Sequence, residues 1–453
     1  MSHYLDYNFK NNKIDLGFKN LLLKNNNLAL LGGEPIIRKP LTPYKTIGFS
    51  ERKAISRLMK KGNLSGFVGA WCDQFHGGPN VRKFEESWSE IFKCKYSVSM
   101  NSNTSGLIAA LGAIGLSPGD EVIVPPLTMS ATVMAPLIYG GIPVFVDIEK
   151  DYFCLDAKKV ELAITSKTKA IIAVNLFGHP AELSLLRDLA DKKGIYLIED
   201  AAQCPLATEN NIFAGTVGHI GVFSLNYHKH IHTGEGGICC TNDDDLALRL
   251  RAIRNHGENI TESLKIDDIT NFVGFNFRMT ELSASIGLEQ LKKINNLVSS
   301  RENIARKLSE ELSSCIGLET PLIRDECRHV YYVWAAKINT YEIGLSRSVI
   351  AKALKAEGVP VEEGYIKPLY LLPTFQRRIA IGRNGWPFNL TNRLYEKSLC
   401  PVAEELYNKS LLEFCICSFE LNRHQLNKII DAFHKVFENL NHLKEYDLNS
   451  CEK

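Results

Sequence analysis

The sequence lacks several features that mark membrane, secreted or nucleic-acid-binding proteins. No stretch approaches the roughly 20 consecutive apolar residues that a membrane-spanning helix needs. The first 27 residues contain no apolar run longer than residues 21–23 and no small-residue cleavage site, so we expect no secretory signal. The formal net charge is only +2, which provides no basic excess for binding nucleic acid or anionic lipid. Small molecules are therefore the expected partners.

Paired metal-binding or redox cysteines are also missing, although the chain has twelve cysteines. None of them forms a Cys-x-x-Cys motif, and the closest, Cys239-Cys240 and Cys415-Ile416-Cys417, lie in apolar runs where a thiol acts as a small hydrophobe. Internal repeats and low-complexity tracts are absent as well. We therefore expect reduced thiols and a cytoplasmic location.

What the sequence does have is 453 residues, 45% of them hydrophobic, which is ample for a buried core. From residue 96 onward, short Val/Ile-rich runs alternate with helical patterns, and the runs are continuous rather than alternating in polarity. That pattern is typical of a parallel sheet covered by helices on both faces. We predict an α/β domain with strands 96–100, 121–125, 143–147, 170–176 and 196–199, and helices 104–114, 130–139, 160–164 and 181–192.

A smaller α+β unit is expected after this domain. A long helical region, 288–312, leads to predicted strands near 330–338 and 414–418 and to a last helix, 423–440. Asn422 and Gln425 have the spacing of a capping box at the start of that helix. We predict an N-terminal extension (1–30), a large cofactor-binding domain (31–310) and a small C-terminal domain (311–453).

The segment 219–241 is the most informative stretch of the chain. An apolar run (220–225) leads to a polar segment with a single lysine, Lys229, and then through Gly-Glu-Gly-Gly to a second β-rich run (238–241). Most lysines in loops are simply exposed to solvent. A lysine held between two buried strands is partly removed from water, however, which favours the neutral amine that attacks carbonyl groups.

Two further features follow predicted strands, where open α/β sheets bind ligands. The polar run 101–105 (Asn-Ser-Asn-Thr-Ser) stands between a strand and a helix, so it is either an ordinary helix cap or a phosphate site. Asp200 ends a buried strand and is followed by two alanines, which permits close approach of a planar ligand or a simple turn cap. A phosphate cradle, a buried carboxylate and a strand-end lysine together match the requirements of pyridoxal 5'-phosphate (PLP).

These stretches give the sequence a specific resemblance. It resembles the DegT/DnrJ/EryC1/StrS family of PLP-dependent sugar aminotransferases over nearly the whole chain, from about residue 31 to the last helix. The matching stretches are 119–125 (GDEVIVP), 143–147 (PVFVD), 199–203 (EDAAQ), 224–229 with 233–237 (TGEGG), 254–257 (RNHG) and 276–281 (NFRMTE). The resemblance implies an aspartate-aminotransferase-like fold of type I.

The resemblance also implies roles for individual residues. Lys229 is the residue that bonds covalently to the cofactor aldehyde and later moves a proton. Asp200 pairs with the pyridine nitrogen, and Gln203 contacts the phenolic oxygen of the ring.

Other positions are expected to hold the cofactor phosphate and ring. The resemblance implies that Thr104 and Ser224 bind the phosphate, and that Asn276 reaches the phosphate of the neighbouring subunit in a homodimer with a shared active site. Asn103 occupies a position where the family commonly has glycine; asparagine tolerates positive φ better than most residues, which is compatible with the turn. Met129 stands where relatives often place an aromatic ring over the pyridine, and a thioether also packs on such a face.

Three histidines flank the lysine at a spacing of two: His228, His230 and His232. Such spacing in an extended segment invites a metal-site interpretation, but no acidic or cysteine ligand is close in sequence, so we predict no metal. Contact of one histidine with substrate or with a partner chain is left open.

The expected reaction is a transamination that moves an amino group from an amino acid, by resemblance L-glutamate, to a keto sugar. A nucleotide-linked keto-deoxysugar is the expected acceptor, for polysaccharide, lipopolysaccharide or amino-sugar biosynthesis. The glycine-rich loop 62–79 and the segment 365–369 are candidate sugar contacts.

Three alternatives stay open from the sequence. The acceptor could be a cyclitol. A keto-sugar dehydratase branch of the family has histidine in place of the lysine, and Lys229 argues against it. A PLP-fold regulator without catalytic activity is the third possibility, which the intact set of site residues disfavours.

Overall fold

The computed structural model describes residues 28–451, so most of the predicted N-terminal extension lies outside the described residues. The strands are β1 Tyr96–Met100, β2 Glu121–Val124, β3 Ile142–Phe145, β4 Thr168–Val174, β5 Tyr196–Asp200, β6 Thr208–Glu209, β7 Ile212–Phe213, β8 Ile220–Ser224, β9 Gly237–Thr241, β10 Leu318–Glu319, β11 Cys327–Arg328, β12 Trp334–Ile338, β13 Glu362–Glu363 and β14 Leu411–Phe414.

From β1 to β5 the helices alternate with these strands. They are α1 Phe49–Lys61, α2 Pro79–Phe92, α3 Asn103–Ala113, α4 Ala131–Ile138, α5 Ala157–Ala163, α6 Leu183–Lys193, α7 Asp244–Arg254, α8 Thr261–Leu264, α9 Glu281–Leu291, α10 Ile294–Leu312, α11 Thr340–Ile343, α12 Arg347–Ala356, α13 Pro373–Gln376, α14 Pro401–Glu405, α15 Arg423–Phe437 and α16 Leu440–Cys451. Within residues 28–451, none of the helices is long and apolar enough to cross a membrane.

A seven-stranded sheet forms the centre of the molecule, in the order β1-β9-β8-β5-β4-β2-β3. β9 runs antiparallel to both of its neighbours, and the other six strands are parallel to one another. Strands β2, β3 and β9 are buried along their whole length, because helices cover both faces of the sheet. The predicted α/β architecture with a mostly parallel sheet is confirmed. The carboxyl ends of β1, β5 and β8 consequently lie at the same edge.

A second, antiparallel sheet belongs to the C-terminal part of the chain, in the order β10-β12-β14-β13. Its core includes side chains from α10, α12 and α15 and from the first described residues. Examples are Leu28, Leu31, Ile37, Leu308, Leu312, Ile350, Leu354, Ile429 and Phe433. A third, three-stranded sheet has the order β11-β6-β7. The domain bounds at residues 31 and 311 stay a prediction.

One buried carboxylate attaches the first described segment to this second core. Glu357 accepts hydrogen bonds from the backbone N–H groups of Ala29 (2.8 Å) and Ile36 (3.1 Å) and pairs with Lys435 (2.9 Å). These partners are distant in sequence, so periodicity along the chain carries no sign of the contact.

The prediction of one helical region over 288–312 is wrong in one respect. The structure divides these residues between two helices. α9 ends at Leu291 and α10 begins at Ile294. Between them, Lys293 turns inward, where its ammonium donates to the carbonyl of Thr46 (2.7 Å) and pairs with the buried carboxylate of Glu51. A buried carboxylate without a cationic partner is costly. Because the Lys293–Glu51 pair avoids that cost, it favours the break between α9 and α10.

The C-terminal elements also differ from the predicted bounds. The last predicted helix, 423–440, ends at Phe437, and a further helix begins at Leu440. The strand predicted at 414–418 instead occupies 411–414, because residues 416–418 form a 3₁₀ turn. The capping box is confirmed: Asn422 Oδ1 accepts from Gln425 N at 2.9 Å and Gln425 Oε1 accepts from Asn422 N at 3.2 Å.

Candidate active site

Lys229 lies in the connection between β8 and β9 and is 8% exposed. Its Nζ is 4.2 Å from the centre of the Tyr332 ring. Burial lowers the pKa of Lys229 to about 8, and the carboxylate of Asp200 acts in the opposite direction with a smaller effect. The side chain therefore supplies an uncharged, nucleophilic amine much closer to neutral pH than an exposed lysine does.

The lowered pKa gives the cofactor-free protein a specific pH dependence of stability. In the unfolded chain the lysine keeps its ordinary pKa of about 10.5, so between pH 8 and pH 10.5 the unfolded state binds more protons than the folded state. The penalty for burying the ammonium is complete below pH 8 and declines as pH rises through this window. We expect the free energy of unfolding of the cofactor-free protein, measured in urea, to increase from pH 8 to pH 10 relative to Lys229→Met. If the difference in unfolding free energy between the two proteins stayed constant from pH 8 to pH 10, the low pKa of Lys229 would be contradicted.

Asp200 ends β5 and is 3% exposed. Its Oδ2 accepts a hydrogen bond from Thr132 Oγ1 at 2.7 Å, and its Oδ1 accepts from Ala202 N at 3.2 Å and from Asn103 Nδ2 at 3.4 Å. Burial raises the pKa of Asp200, while these donors and Lys229 lower it. A buried carboxylate supported on both oxygens is suited to face a protonated ring nitrogen.

The predicted phosphate cradle forms the N-terminal end of α3. Ser102 caps the helix, and its Oγ accepts from Ser105 N at 3.0 Å. Thr104 is exposed in the first turn of this eleven-residue helix. Asn103 does not take up the positive φ that we considered for it, because it is the first helical residue. Its amide donates to the carbonyl of Val222 at 3.1 Å and to Asp200, so this side chain lies next to the predicted ring site.

Gly237 brings the cradle close to the end of β8. A Cβ atom on Gly237 would lie 2.5 Å from the backbone carbon of Ser102 and 2.7 Å from the nitrogen of Asn103, so only glycine fits there. Gly237 also pairs with Ser224 across the β8–β9 ladder. Ser224 is thereby placed beside the cradle, and its Oγ accepts from Asn226 N at 3.3 Å.

Gln203 lies three residues beyond Asp200 and its carboxamide is held at both ends. The Oε1 atom accepts from Phe177 N at 2.7 Å, and Nε2 donates to the hydroxyl of Tyr365 at 2.9 Å. Tyr365 belongs to the segment that we predicted as a sugar contact. The structure places it against a predicted cofactor residue.

Met129 and Asn276 lie at the periphery of this group. Met129 immediately precedes the cap of α4 and is 40% exposed. Asn276 is exposed, its Oδ1 accepts from Arg278 Nε at 2.7 Å, and its backbone carbonyl lies 3.5 Å from Asn101 Nδ2 of the same chain. The roles of these two residues stay predictions.

The three histidines around the lysine have different surroundings. His230 is fully buried and its Nε2 lies 2.9 Å from the carbonyl of Val330. His232 Nδ1 accepts from Gly234 N at 3.3 Å. His228 Nε2 is buried without a hydrogen-bond partner among residues 28–451. Over the same residues, no group of three potential ligands among His, Cys, Asp and Glu side chains could hold a metal ion.

Asn255 attaches the glycine-rich loop 62–79 to the side of the large domain that carries the predicted phosphate cradle. The Asn255 amide donates to the carbonyls of Val68 (2.9 Å) and Phe75 (3.3 Å), and its Oδ1 accepts from Arg278 at 3.4 Å. Trp71, in this loop, is 38% exposed. The loop therefore connects through Arg278 to Asn276 and the cradle.

The sequence did not reveal two contacts of the site. Thr132 lies in the first turn of α4, which follows β2, and its position at the strand-end edge is the signal that could have identified it. Tyr332 has no comparable signal, because the contact of its ring with Lys229 depends on the packing of the C-terminal part against the large sheet.

The residues present fit PLP. A glycine-dependent cradle at a helix N-terminus suits a phosphate, a buried carboxylate suits the pyridine nitrogen, and a buried amine suits the aldehyde. Asn226 Oδ1 and His228 Nε2, on either side of Tyr227, are buried with no hydrogen-bond partner among the described residues, as is typical of a site shaped for a polar ligand.

Comparison with known proteins agrees with this geometry. The model of the DegT/DnrJ/EryC1/StrS aminotransferase family matches residues 70–411. The spore coat polysaccharide biosynthesis protein SpsC of Bacillus subtilis is 30% identical over 358 residues, which cover 77% of this chain and 89% of that protein.

Two further similarities cover more of the chain. The L-glutamine:2-deoxy-scyllo-inosose aminotransferase of Streptomyces kanamyceticus is 31% identical over 433 residues, covering 92% of this chain and 98% of that protein. The crystal structure of DesI in the presence of its TDP-sugar product superimposes with a TM-score of 0.77 at 26% identity, covering 94% of this chain and 99% of that one.

Proposed function

Because the chain belongs to the DegT/DnrJ/EryC1/StrS aminotransferase family and is therefore a PLP-dependent aminotransferase, we propose that it transfers an amino group from an amino acid to a keto sugar. L-Glutamate is the proposed donor, and a nucleotide-linked keto-deoxysugar is the proposed acceptor. The observation that carries this proposal is the buried Lys229 beside Asp200 at the strand-end edge of the central sheet.

We propose that the side chains divide the work as follows. Thr104 and Ser224, with the N–H groups at the start of α3, hold the phosphate, while Asp200 and Gln203 hold the ring. When bound, PLP supplies an electron sink for the substrate carbon. Lys229 moves the proton at that carbon, and its pKa near 8 matches this general acid–base task at physiological pH.

Two similarities support a nucleotide-linked sugar as acceptor. DesI was crystallised with a TDP-sugar product, and the name of SpsC assigns it to polysaccharide biosynthesis. Polysaccharide or amino-sugar biosynthesis, lipopolysaccharide included, is the proposed context. A cytoplasmic location and a homodimer in which Asn276 completes the neighbouring site remain proposals too.

A cyclitol acceptor is the second candidate, and the sequence identity of one similarity favours it. The scyllo-inosose aminotransferase is 31% identical to this chain over 433 residues, whereas DesI, which covers a similar share of the chain, is 26% identical. The name of that enzyme gives L-glutamine as its donor, so donor and acceptor have to be tested together.

Separate half-reactions test both parts of the proposal. PLP-loaded protein is mixed with L-glutamate or L-glutamine, and the visible absorption band is followed as it bleaches. The amine form is then separated from the donor and given TDP- and GDP-linked keto sugars or 2-deoxy-scyllo-inosose, with return of the band and product mass as readouts.

We expect L-glutamate to bleach the band and a keto sugar nucleotide to restore it. If L-glutamine is the donor and only the cyclitol restores the band, the second candidate is correct. If neither acceptor class restores the band although the donor bleaches it, the proposed acceptors are wrong while the transaminase assignment stands.

A further inference from the structure

The carboxamide of Gln203 connects two distant parts of the chain. Its Oε1 faces the backbone N–H of Phe177, which follows β4, and its Nε2 faces the hydroxyl of Tyr365, which follows β13. The backbone N–H is only a donor, so it fixes the orientation of the amide with Oε1 on the side of Phe177. One hydrogen of Nε2 is then used by Tyr365, and one remains for another acceptor.

Both hydrogen-bond partners of this carboxamide have a strained backbone conformation. Phe177 and Tyr365 both have positive φ, +59° and +64°, which is unfavourable for bulky side chains and tends to occur at functional sites. Their rings contact each other with centroids 5.0 Å apart at 78°. The backbone carbonyl of Phe177 is also fixed, because it accepts from Tyr332 N at 2.8 Å. The two partners of Gln203 are thus held in place by the surrounding structure.

The hydroxyl of Tyr365 stays protonated in this environment. Burial raises the pKa of Tyr365 above its ordinary value, and the carboxylates of Glu413 and Asp200 and the thiol of Cys415 act in the same direction. The hydrogen bond from Gln203 opposes them only in part. The neutral phenol oxygen accepts the Gln203 N–H without adding a negative charge next to the ring site.

We propose that Tyr365 is a positioning residue for the cofactor: by fixing the carboxamide of Gln203, it directs the remaining Nε2 hydrogen to the phenolic oxygen of PLP. The inference concerns cofactor binding and does not depend on the identity of the sugar or cyclitol acceptor. It also makes the C-terminal segment after β13 part of the cofactor site.

The test compares Tyr365→Phe with a matched tyrosine variant. Tyr395 is buried too, and its hydroxyl donates to the carbonyl of Pro143 at 3.0 Å in an aromatic cluster with Phe145 and Phe375. Tyr365→Phe should weaken PLP binding about two- to ten-fold and shift the pH midpoint of the visible band by about 0.3 to 1 unit, as expected for one net hydrogen bond. Tyr395→Phe should lower stability to a similar extent and leave both readouts unchanged.

A double-mutant cycle with Gln203→Ala tests the route of the effect. If Tyr365 acts through Gln203, then adding Tyr365→Phe to Gln203→Ala causes no further change in PLP affinity or band midpoint. Additive effects would overturn the proposal, and so would a Tyr365→Phe protein that behaves like Tyr395→Phe. If the Gln203 variants do not fold, the comparison of Tyr365→Phe with Tyr395→Phe decides by itself whether Tyr365 positions the cofactor.

Discussion

Lys229→Arg is expected to abolish transamination and to remove the covalent cofactor adduct that borohydride traps in the parent protein. Arginine keeps the positive charge but has no primary amine to bond with the cofactor aldehyde, and it stays protonated at any accessible pH. The rate should fall by at least about 10²- to 10⁴-fold, the range that a positioned general base contributes alone. Mass spectrometry after borohydride reduction and steady-state kinetics measure the two effects.

Lys337→Arg is the matched control for this experiment. Lys337 is also buried, but it lies in β12 and pairs with Asp151 and Glu319. Its substitution should keep the trapped adduct and the activity. A borohydride-trapped adduct in Lys229→Arg would show that another lysine bonds with the cofactor.

Asp200→Asn is expected to have the second largest effect. The amide removes the negative charge from a buried position, and the loss of one preorganised electrostatic partner costs about 10²- to 10³-fold in kcat. It should also weaken PLP binding and lower the pKa of Lys229 further, because the Asp200 carboxylate counteracts the effect of burial on that lysine. Single-turnover kinetics measure the loss of rate, and a PLP titration repeated over pH measures the weaker binding and the lower pKa of Lys229.

The neighbouring carboxylate provides the control. Glu199 is fully buried and accepts from the backbone N–H groups of Gly215 (2.6 Å), Val217 (2.9 Å) and Gly218 (2.6 Å). Glu199→Gln should lower the free energy of unfolding by about 1–3 kcal/mol, since it leaves buried donors poorly satisfied, while kcat of the folded protein stays within a few-fold. An equal loss of kcat in both variants would show that the effect of Asp200→Asn is structural.

Much of the central sheet was predictable because each of its elements has a local signature. The strand at 96–100 was predicted with its observed bounds and that at 196–199 to within a residue, and the apolar run 220–225 contains β8. Buried parallel strands favour near-continuous runs rich in Val, Ile and Leu, and such runs are visible in β2 and β4. The break at residues 292–293 was missed because it depends on a partner elsewhere in the chain, Glu51 for Lys293.

The sequence by itself determined the α/β class, the residues that follow the strands and the resemblance that gives Lys229, Asp200 and Gln203 their expected roles, because all of these are properties of local patterns. Only the tertiary structure decided which groups surround them. Thr132 bonds to Asp200 across 68 positions and Tyr365 to Gln203 across 162. Contacts over such separations arise when sheet edges and segments pack together, and periodicity in the sequence records only which face of an element is buried, not what it meets.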